Sequence, residues 1–361
     1  MRRTLIATAA CAAALAAAPA DARDLLVTIA KPGNLYVFDA GKRELLKDCP
    51  LGVDMNPAVI KMSPDGRIAY VLVNRWQDVI GVDIETCERV FYAAQSEETI
   101  RRRSIGSLAV SPDGSEIYTV RNPVRVLSDR YYVMEPEFAV FRADAGIEAT
   151  PVRMFPAPRR STIMAAGASG EVYIAGHDIY AVDPRTGEVS VKIPNATWDR
   201  PKYSPPDVLA FWPVGSQNDE FMLMYTAAVF ATEAREEIAD FVWGFSSVDL
   251  ETGETHIQDF ASLEVLMFTG VRDPNAPNLL YGVYTQLSKH DIEKRELIKR
   301  VDLPHTYYVV NISTDGKELY VGGTNDDIGV YDAETLERIG EMRVPSGGDM
   351  GTATVQIVRA E

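Results

Sequence analysis

The stretch from residue 313 to 335, STDGKELYVGGTNDDIGVYDAET, decides the fold because it holds both halves of a unit that recurs along the chain. Its first half, Ser313–Gly316, has the composition of a tight turn, in which aspartate caps the turn through its side chain and glycine supplies the positive φ. An apolar strand follows, and a second strand ends at the turn-forming Asp332. Each unit therefore predicts two strands bounded by turns of defined chemistry.

The position that ends the second strand of this unit, which is the third strand of a blade, occurs seven times along the chain. The seven positions are Asp39, Asp83, Arg142 (a degenerate copy), Asp183, Asp249, Asp291 and Asp332, separated by steps of 44, 59, 41, 66, 42 and 41 residues. Four steps fit one four-stranded blade, and the two long steps fit a blade with an insertion. An ordinary β-sandwich has no reason to repeat at this period. The sequence predicts an all-β, seven-bladed β-propeller over residues 23–361.

The serine-containing turn repeats as well. Ser63–Gly66, Ser111–Gly114 and Ser313–Gly316 each precede an apolar stretch. These turns predict strands over Ile68–Asn74, Ile117–Asn122 and Leu319–Thr324, each as the second strand of its blade.

The two ends of the chain predict how the ring closes. Leu25–Ala30, Leu35–Asp39 and Glu44–Cys49 supply the second, third and outer strands of blade one, with no inner strand before them. Thr352–Arg359 follows the last outer strand and has the apolar pattern of the missing inner strand. Pairing these ends would remove an open sheet edge, so we expect blade one to be built from both termini.

Residues 1–22 have the pattern of a cleaved secretory signal peptide. A basic Arg2-Arg3 pair precedes the alanine-rich Leu5–Ala17, and Ala20-Asp21-Ala22 fits a small-residue cleavage site. This pattern predicts a periplasmic protein. With 36 basic and 52 acidic residues, the formal net charge of −16 argues against nucleic acid or anionic membrane as a partner.

Two cysteines remain after the signal segment, Cys49 and Cys87. Cys49 lies ten residues past Asp39, whereas Cys87 lies four past Asp83, which predicts positions near opposite ends of neighbouring outer strands. Six residues of strand span roughly 20 Å, and a disulfide requires Cα atoms within about 7 Å. We therefore expect no bond between them.

Motifs for self-contained catalysis are missing from the sequence. There is no Cys-x-x-Cys-His for haem attachment, no His-Glu-x-x-His, no Walker loop and no Gly-x-Ser-x-Gly. The four histidines, His177, His256, His290 and His305, fall in different predicted blades. We expect no catalytic residue, cofactor site or metal site on this chain.

Function is expected on one face of the ring, where the connections between blades and between the second and third strands emerge. We call this the loop-rich face. Both insertions, Asn122–Glu137 and Ala231–Asp240, fall there, with further extra residues around Ser216–Asp219. Elaborated loops on a rigid scaffold are where binding usually occurs.

The connections between blades on this face are rich in arginine and aromatic residues, the types enriched at interface hot spots. They include Arg101–Arg103, Arg159-Arg160, Trp198–Tyr203 and Leu303–Tyr308. The alternative is that these side chains pack between blades. The residues predicted to line a pocket or interface are Arg102, Arg160, Tyr203, Asp207, His305 and Tyr307.

Four segments carry a family resemblance. Pro206–Trp212, Leu303–Gly316, Ser63–Asn74 and Tyr331–Glu337 resemble the β subunit of quinohemoprotein amine dehydrogenase, and the likeness runs over essentially the whole mature chain. Leu-Pro-His-x-Tyr-Tyr and Pro-Asp-Val-Leu-Ala-x-Trp are its most specific parts.

The resemblance implies a subunit of a periplasmic complex that converts primary amines to aldehyde and ammonia. In that family an α subunit carries two haem c groups, and a small γ subunit carries cysteine tryptophylquinone. The propeller subunit holds no redox group; it scaffolds the complex and helps to wall the pocket. The isolated chain is then expected to be inactive, and Tyr203, Asp207, His305 and Tyr307 become interface or pocket-lining candidates by their face and by the matching segments.

Three other functions remain open on sequence grounds. The first is a stand-alone lactonase-like hydrolase, and the second is a non-enzymatic envelope binding protein. The third is the heavy subunit of methylamine dehydrogenase, which would pair with a tryptophan tryptophylquinone subunit and no di-haem chain.

Overall fold

The computed structural model describes residues 23–52, 55–209, 219–345, 347–350 and 355–360. These residues form thirty strands in seven antiparallel sheets and one short 3-10 helix, Gly146–Glu148. The sheets stand as seven blades in a ring, which confirms the predicted all-β, seven-bladed propeller.

The strands of each blade follow from the inner to the outer edge. Blade one is β30 (Gln356–Ala360), β1 (Arg23–Ala30), β2 (Asn34–Asp39) and β3 (Glu44–Pro50). Blade two is β4 (Val59–Met62), β5 (Ile68–Val73), β6 (Asp78–Asp83) and β7 (Arg89–Ala94). Blade three is β9 (Ala109–Val110), β10 (Glu116–Val126), β12 (Glu137–Arg142) and β13 (Arg153–Pro156). Two further strands, β8 (Ile100–Arg103) and β11 (Tyr131–Val133), pair with the far end of β10.

Blade four is β14 (Met164–Ala166), β15 (Val172–Ala175), β16 (Ile179–Val182) and β17 (Val189–Ile193). Blade five is β18 (Asp207–Leu209), β19 (Glu220–Phe230), β20 (Ile238–Asp249) and β21 (Thr255–Ser262). Blade six is β22 (Thr269–Arg272), β23 (Leu279–Val283), β24 (Gln286–Asp291) and β25 (Glu296–Asp302). Blade seven is β26 (Val309–Ile312), β27 (Glu318–Gly322), β28 (Asp327–Asp332) and β29 (Arg338–Arg343).

Ring closure through blade one is confirmed. Strand β30 from the C-terminus pairs antiparallel with β1, with Val358 opposite Leu25. The sheet order β3-β2-β1-β30 makes the C-terminal strand the inner strand, as predicted. Residues 352–354 of the predicted strand lie outside the described residues.

The repeated aspartates end the third strand of their blades because their side chains cap the following turn. Asp332 shows the pattern: its Oδ1 accepts hydrogen bonds from the backbone N–H groups of Glu334 (3.1 Å) and Thr335 (2.7 Å). The N–H of Leu336 then bonds the Asp332 carbonyl, and Leu336 adopts a left-handed φ of 55°. Arg142 lacks a carboxylate, and there the short 3-10 helix follows the strand instead.

Aromatic side chains join neighbouring blades in the core. Phe91 of blade two and Phe141 of blade three meet edge to face with ring centroids 6.3 Å apart. Phe260 of blade five and His290 of blade six do the same at 5.5 Å. Such pairs add about 0.5–1.5 kcal/mol to the burial of their area, so blades two and three stabilise each other, as do blades five and six.

The prediction for Cys49 and Cys87 is wrong, because the structure joins them in a disulfide with Cα atoms 5.1 Å apart. Neighbouring strands of a sheet are rotated by roughly 20–25°, so three steps turn an outer strand by about 60–75° from the inner one. The end of β3 therefore points toward blade two. The chain beyond it follows the same path, since Arg89 of β7 donates a hydrogen bond to the Leu51 carbonyl (2.5 Å).

Candidate functional site

Both predicted insertions lie on the loop-rich face and form long hairpins. In blade three, β10 runs past the blade and pairs with β8 on one side and β11 on the other. In blade five, β19 and β20 form one hairpin whose tip spans residues 231–237. Residues 216–218, also predicted as an extension, lie outside the described residues.

His305 and Tyr307 lie together in the connection between blades six and seven and share one carboxylate. Nε2 of His305 is 2.8 Å from Oδ1 of Asp327, and the Tyr307 hydroxyl donates to Oδ2 at 2.5 Å. The two rings pack with centroids 4.0 Å apart. Nδ1 of His305 faces the Thr306 carbonyl at 2.9 Å. We call His305, Tyr307 and Asp327 the Asp327 network.

Tyr203 belongs to a second network around Asp259 of β21. Its hydroxyl donates to Oδ2 of Asp259 (2.8 Å), and Tyr225 donates to Oδ1 (2.6 Å). Arg200 binds the same carboxylate with two hydrogen bonds, of 2.8 and 2.7 Å, while its guanidinium lies 3.8 Å from the Tyr203 ring centroid. These four residues, the Asp259 network, fix the connection between blades four and five to the body of blade five.

Arg102 forms a third network with carboxylates of its own chain. It is buried, with Nη1 2.7 Å from Glu97 and Nε 3.1 Å from Glu137. Arg121 of β10 also binds Glu137, at 2.6 Å. We call Arg102, Arg121, Glu97 and Glu137 the Glu137 network; it fixes the base of the blade-three hairpin.

Arg160 and Asp207 stand apart from these networks. Both side chains are exposed, Arg160 in the connection after blade three and Asp207 at the start of β18. The structure thus brings His305 and Tyr307 together but spreads the six candidates over blades three, four, five and seven.

The electrostatics of the two tyrosine networks favour a structural role. Burial, followed by the hydrogen bond to Asp327, raises the pKa of Tyr307, and burial with the Asp259 bond raises that of Tyr225. Burial alone would raise the pKa of Asp259, but its bonds to Arg200 and the tyrosines lower it overall. A general acid or base needs a pKa near the working pH, and these pKa values move away from neutrality.

Sequence reasoning missed the carboxylates at the centres of these networks. Asp259 carried a signal, because it interrupts the outer strand beside the apolar pair Phe260-Ala261. Asp327 carried none, since it follows two polar residues in what reads as an ordinary surface turn, Asn325-Asp326. Tyr203, which bonds Asp259, is 56 residues away from it in sequence, and Tyr307, which bonds Asp327, is 20 residues away.

Three grooves open on the opposite face, between blades seven and one, one and two, and five and six. Their volumes are about 450, 750 and 680 Å³. Acidic residues make up five of the eleven that line the last groove, which surrounds the partly buried Glu220–Arg272 ion pair (2.9 Å). None of the six candidates lines these grooves within the described part of the chain.

Two other properties concern metal and membrane. Over the residues that the structure describes, no group of three or more His, Cys, Asp or Glu side chains is placed to hold a metal ion. Within the same residues, no helix has the length and apolar character needed to cross a membrane.

The fold and this face define the class of protein as a β-propeller, and solved structures agree. Hydrazine synthase of Kuenenia stuttgartiensis has a TM-score of 0.51 at 13% identity, over 86% of this chain and 90% of its own. Apo AztD of Citrobacter koseri has a TM-score of 0.52 at 12% identity, over 94% of this chain and 98% of its own. The dihydro-heme d1 dehydrogenase NirN, in complex with DHE, has a TM-score of 0.53 at 15% identity, over 91% of this chain and 74% of its own. At these identities the likeness shows the fold alone.

No protein-family model and no curated protein matches the chain.

Proposed function

We propose that this chain is the non-redox propeller subunit of a periplasmic quinohemoprotein amine dehydrogenase complex, which converts primary amines to aldehyde and ammonia. The observation that carries the proposal is the Leu303–Gly316 segment. It resembles that family in sequence, and its His305 and Tyr307 are built into the Asp327 network on the loop-rich face.

The proposed division of labour follows from what this chain contains. It has no haem-attachment motif, and the described residues hold no metal-binding cluster. The tyrosine pKa values on the loop-rich face are shifted away from neutrality. The redox groups, two haem c and a cysteine tryptophylquinone, would belong to the α and γ subunits. This chain would scaffold them, exclude water and shape the amine pocket.

The periplasmic location has separate support. Residues 1–22, which lie outside the described residues, have the pattern of a signal peptide. The Cys49–Cys87 disulfide suits an oxidising compartment, because disulfides persist there and are rare in the cytosol.

Deletion of the gene for this chain in its own host tests the proposal. We expect the deletion strain to lose amine-dependent dye reduction in its periplasmic fraction and growth on a primary amine as nitrogen source. A plasmid copy should restore both. A deletion strain that oxidises primary amines at the wild-type rate would contradict the proposed function.

A further inference from the structure

The far half of β10 carries a small sheet that stands out from blade three. There Val124 lies opposite Arg101 of β8 on one side and Val133 of β11 on the other. We call residues 100–103 and 122–133 the blade-three flap. The Glu137 network holds its base, since Arg102 of β8 binds both Glu97 and Glu137. The flap is thus a fixed platform and not a loose loop.

The outer side of the flap carries arginine and apolar side chains. Because side chains alternate along a strand, Arg101 and Arg103 of β8 point away from the buried Arg102. Val133 lies in the same cross-strand row as Arg101, because both pair with Val124. Tyr131 is two residues before Val133, so its side chain lies on the same side of the sheet. Tyr131 is 74% exposed and Val133 is 63% exposed. This side is therefore open to solvent.

The exposure of three consecutive large residues is unusual for a soluble chain. Tyr132, between the other two, is 59% exposed, so the whole of β11 presents apolar surface. Contiguous exposed apolar residues mark interaction sites, and tyrosine and arginine are the residue types that dominate interface energetics.

The charge of the flap is opposite to that of the molecule. The flap contains five arginines and one aspartate in a chain whose net charge is −16. Arg102 is neutralised by Glu97 and Glu137, and Arg130 by Asp129 (3.3 Å). Arg101, Arg103 and Arg125 have no carboxylate partner in the part of the chain that the structure describes; all three are exposed. Register places Arg125 on the other side of the flap, opposite Ile100 and Tyr132, so Arg101 and Arg103 are the free guanidinium groups on the outer side. Beside the apolar Tyr131 and Val133, they match a protein surface with carboxylates next to an apolar area.

We propose that the blade-three flap docks an acidic partner protein through Arg101, Arg103, Tyr131 and Val133. The partner's identity as the α or γ subunit rests on the proposed function. Nucleic acid and anionic membrane are disfavoured because the rest of the chain would repel them. A two-fold dimer through the flap is disfavoured because it would place the same arginines against each other.

To test the flap, the partner subunits are purified from a host strain that lacks this chain. Binding of tagged wild-type and variant chains to them is then measured. Wild-type chain is titrated into the partner fraction and the dissociation constant is measured. We expect Arg101→Glu with Arg103→Glu, and separately Tyr131→Ser with Val133→Ser, to weaken binding by at least about tenfold. Raising NaCl from about 50 to about 500 mM should weaken wild-type binding more than that of the glutamate variant, since salt screens charge pairs.

Matched controls come from outer strands away from the flap. Lys47→Glu with Lys299→Glu reverses two exposed charges, and Val191→Ser with Ile298→Ser removes apolar groups that are 52% and 47% exposed. Both should bind like wild type, as should Arg101→Lys with Arg103→Lys to within a few-fold. Thermal unfolding of every variant confirms that it is folded.

The outcomes separate this proposal from the proposed function. If the wild-type chain binds the partners and both flap variants bind equally well, the docking proposal alone is wrong. If the wild-type chain binds no partner, both proposals are wrong. If the wild-type chain instead forms dimers that the flap variants break, the occupant is a second copy and the acidic partner is excluded.

Discussion

At the residue scale, Asp327 shows how one carboxylate can fix a connection between blades. It accepts hydrogen bonds from the Tyr307 hydroxyl and lies beside Nε2 of His305, two residues earlier in the same connection. Tyr307 is fully buried, so its hydroxyl has no water to replace Asp327. The connection therefore keeps its shape only while these bonds hold.

Replacing Tyr307 with phenylalanine tests this role. The change keeps the buried ring and leaves Oδ2 of Asp327 without its 2.5 Å donor. The remaining partner of this oxygen is the Arg338 guanidinium at 3.8 Å. Removing a hydrogen-bond donor from a buried carboxylate costs about 1–3 kcal/mol, so we expect the free energy of unfolding in urea to fall by that amount. Tyr131→Phe is the matched control, because Tyr131 is 74% exposed. It should leave the free energy of unfolding unchanged. Equal stability of both variants would show that the Asp327 network is not stabilising.

His290 predicts part of the response to acid. Its Nε2 lies 3.0 Å from the Ser288 hydroxyl, its Nδ1 is buried without a hydrogen-bond partner, and burial lowers its pKa from 6.5 to about 4. Between these values the unfolded chain binds a proton that the folded chain does not. Stability is therefore lost as the pH falls from about 6.5 to about 4.

We expect His290→Gln to reduce this acid sensitivity. The advantage of wild type over the variant in free energy of unfolding should shrink by about 2–3 kcal/mol between pH 7 and pH 4.5. Urea titrations at the two pH values measure it. A difference between the proteins that is the same at both pH values would rule out His290 as the titrating group.

At the element scale, the Cys49–Cys87 bond ties the outer strand of blade one to the turn before the outer strand of blade two. Its cysteines are 38 residues apart in sequence. A cross-link of this loop length stabilises a fold by about 3–4 kcal/mol in the chain-entropy model. We expect Cys49→Ala with Cys87→Ala to lower the free energy of unfolding by that amount.

The single variants provide the control for this prediction. Each removes the bond as completely as the double variant, so the three proteins should unfold at similar urea concentrations, all below wild type. Wild-type protein treated with a reductant should unfold at the same urea concentration as these variants. If reductant leaves the unfolding curve of wild type unchanged, the bond is not present in the folded protein in solution.

The elements that the sequence predicted are those fixed by local chemistry. The turn at Asp332 is closed by bonds to residues two and three positions later, so its pattern is visible in a short window. The same holds for Ser313, whose hydroxyl donates to Asp315 at 2.7 Å. Six such aspartate turns and one degenerate copy were enough to predict the strands, the blades and the face that carries the insertions.

What the sequence did not predict depends on how blades twist and meet. The absence of a disulfide was predicted from distance along neighbouring outer strands, whereas accumulated twist carries the end of β3 to blade two. Asp259 was missed because its partners Tyr203 and Tyr225 come from other strands and connections. Such contacts follow from tertiary geometry, which no local window contains.

At the scale of the whole molecule, stability depends on closing the ring between its two ends. Strand β30 completes blade one. Its Ile357, and Val355 just before the strand, are buried in the core shared by blades seven, one and two. Removing residues 355–361 would expose the inner edge of β1. We expect the free energy of unfolding to fall by about 3–6 kcal/mol, from two lost apolar side chains, with aggregation through the open edge.

A circular permutant provides the control for truncation. Arg23 pairs with Ala360, so a short linker can join the two ends while new termini open at the hairpin tip of residues 231–237. This protein keeps blade one complete and should remain monomeric in light scattering. A truncated chain as stable and as monomeric as the permutant would show that closure by β30 is dispensable.

We propose that this propeller works as a subunit whose redox groups lie on other chains. The first test is to purify the tagged chain from the periplasm of its host, grown on a primary amine. The visible spectrum and the intact masses of the co-purifying chains are then recorded. We expect haem bands, a di-haem partner, and a small partner lighter than its coding mass because of cross-links. A colourless propeller that elutes alone would contradict it.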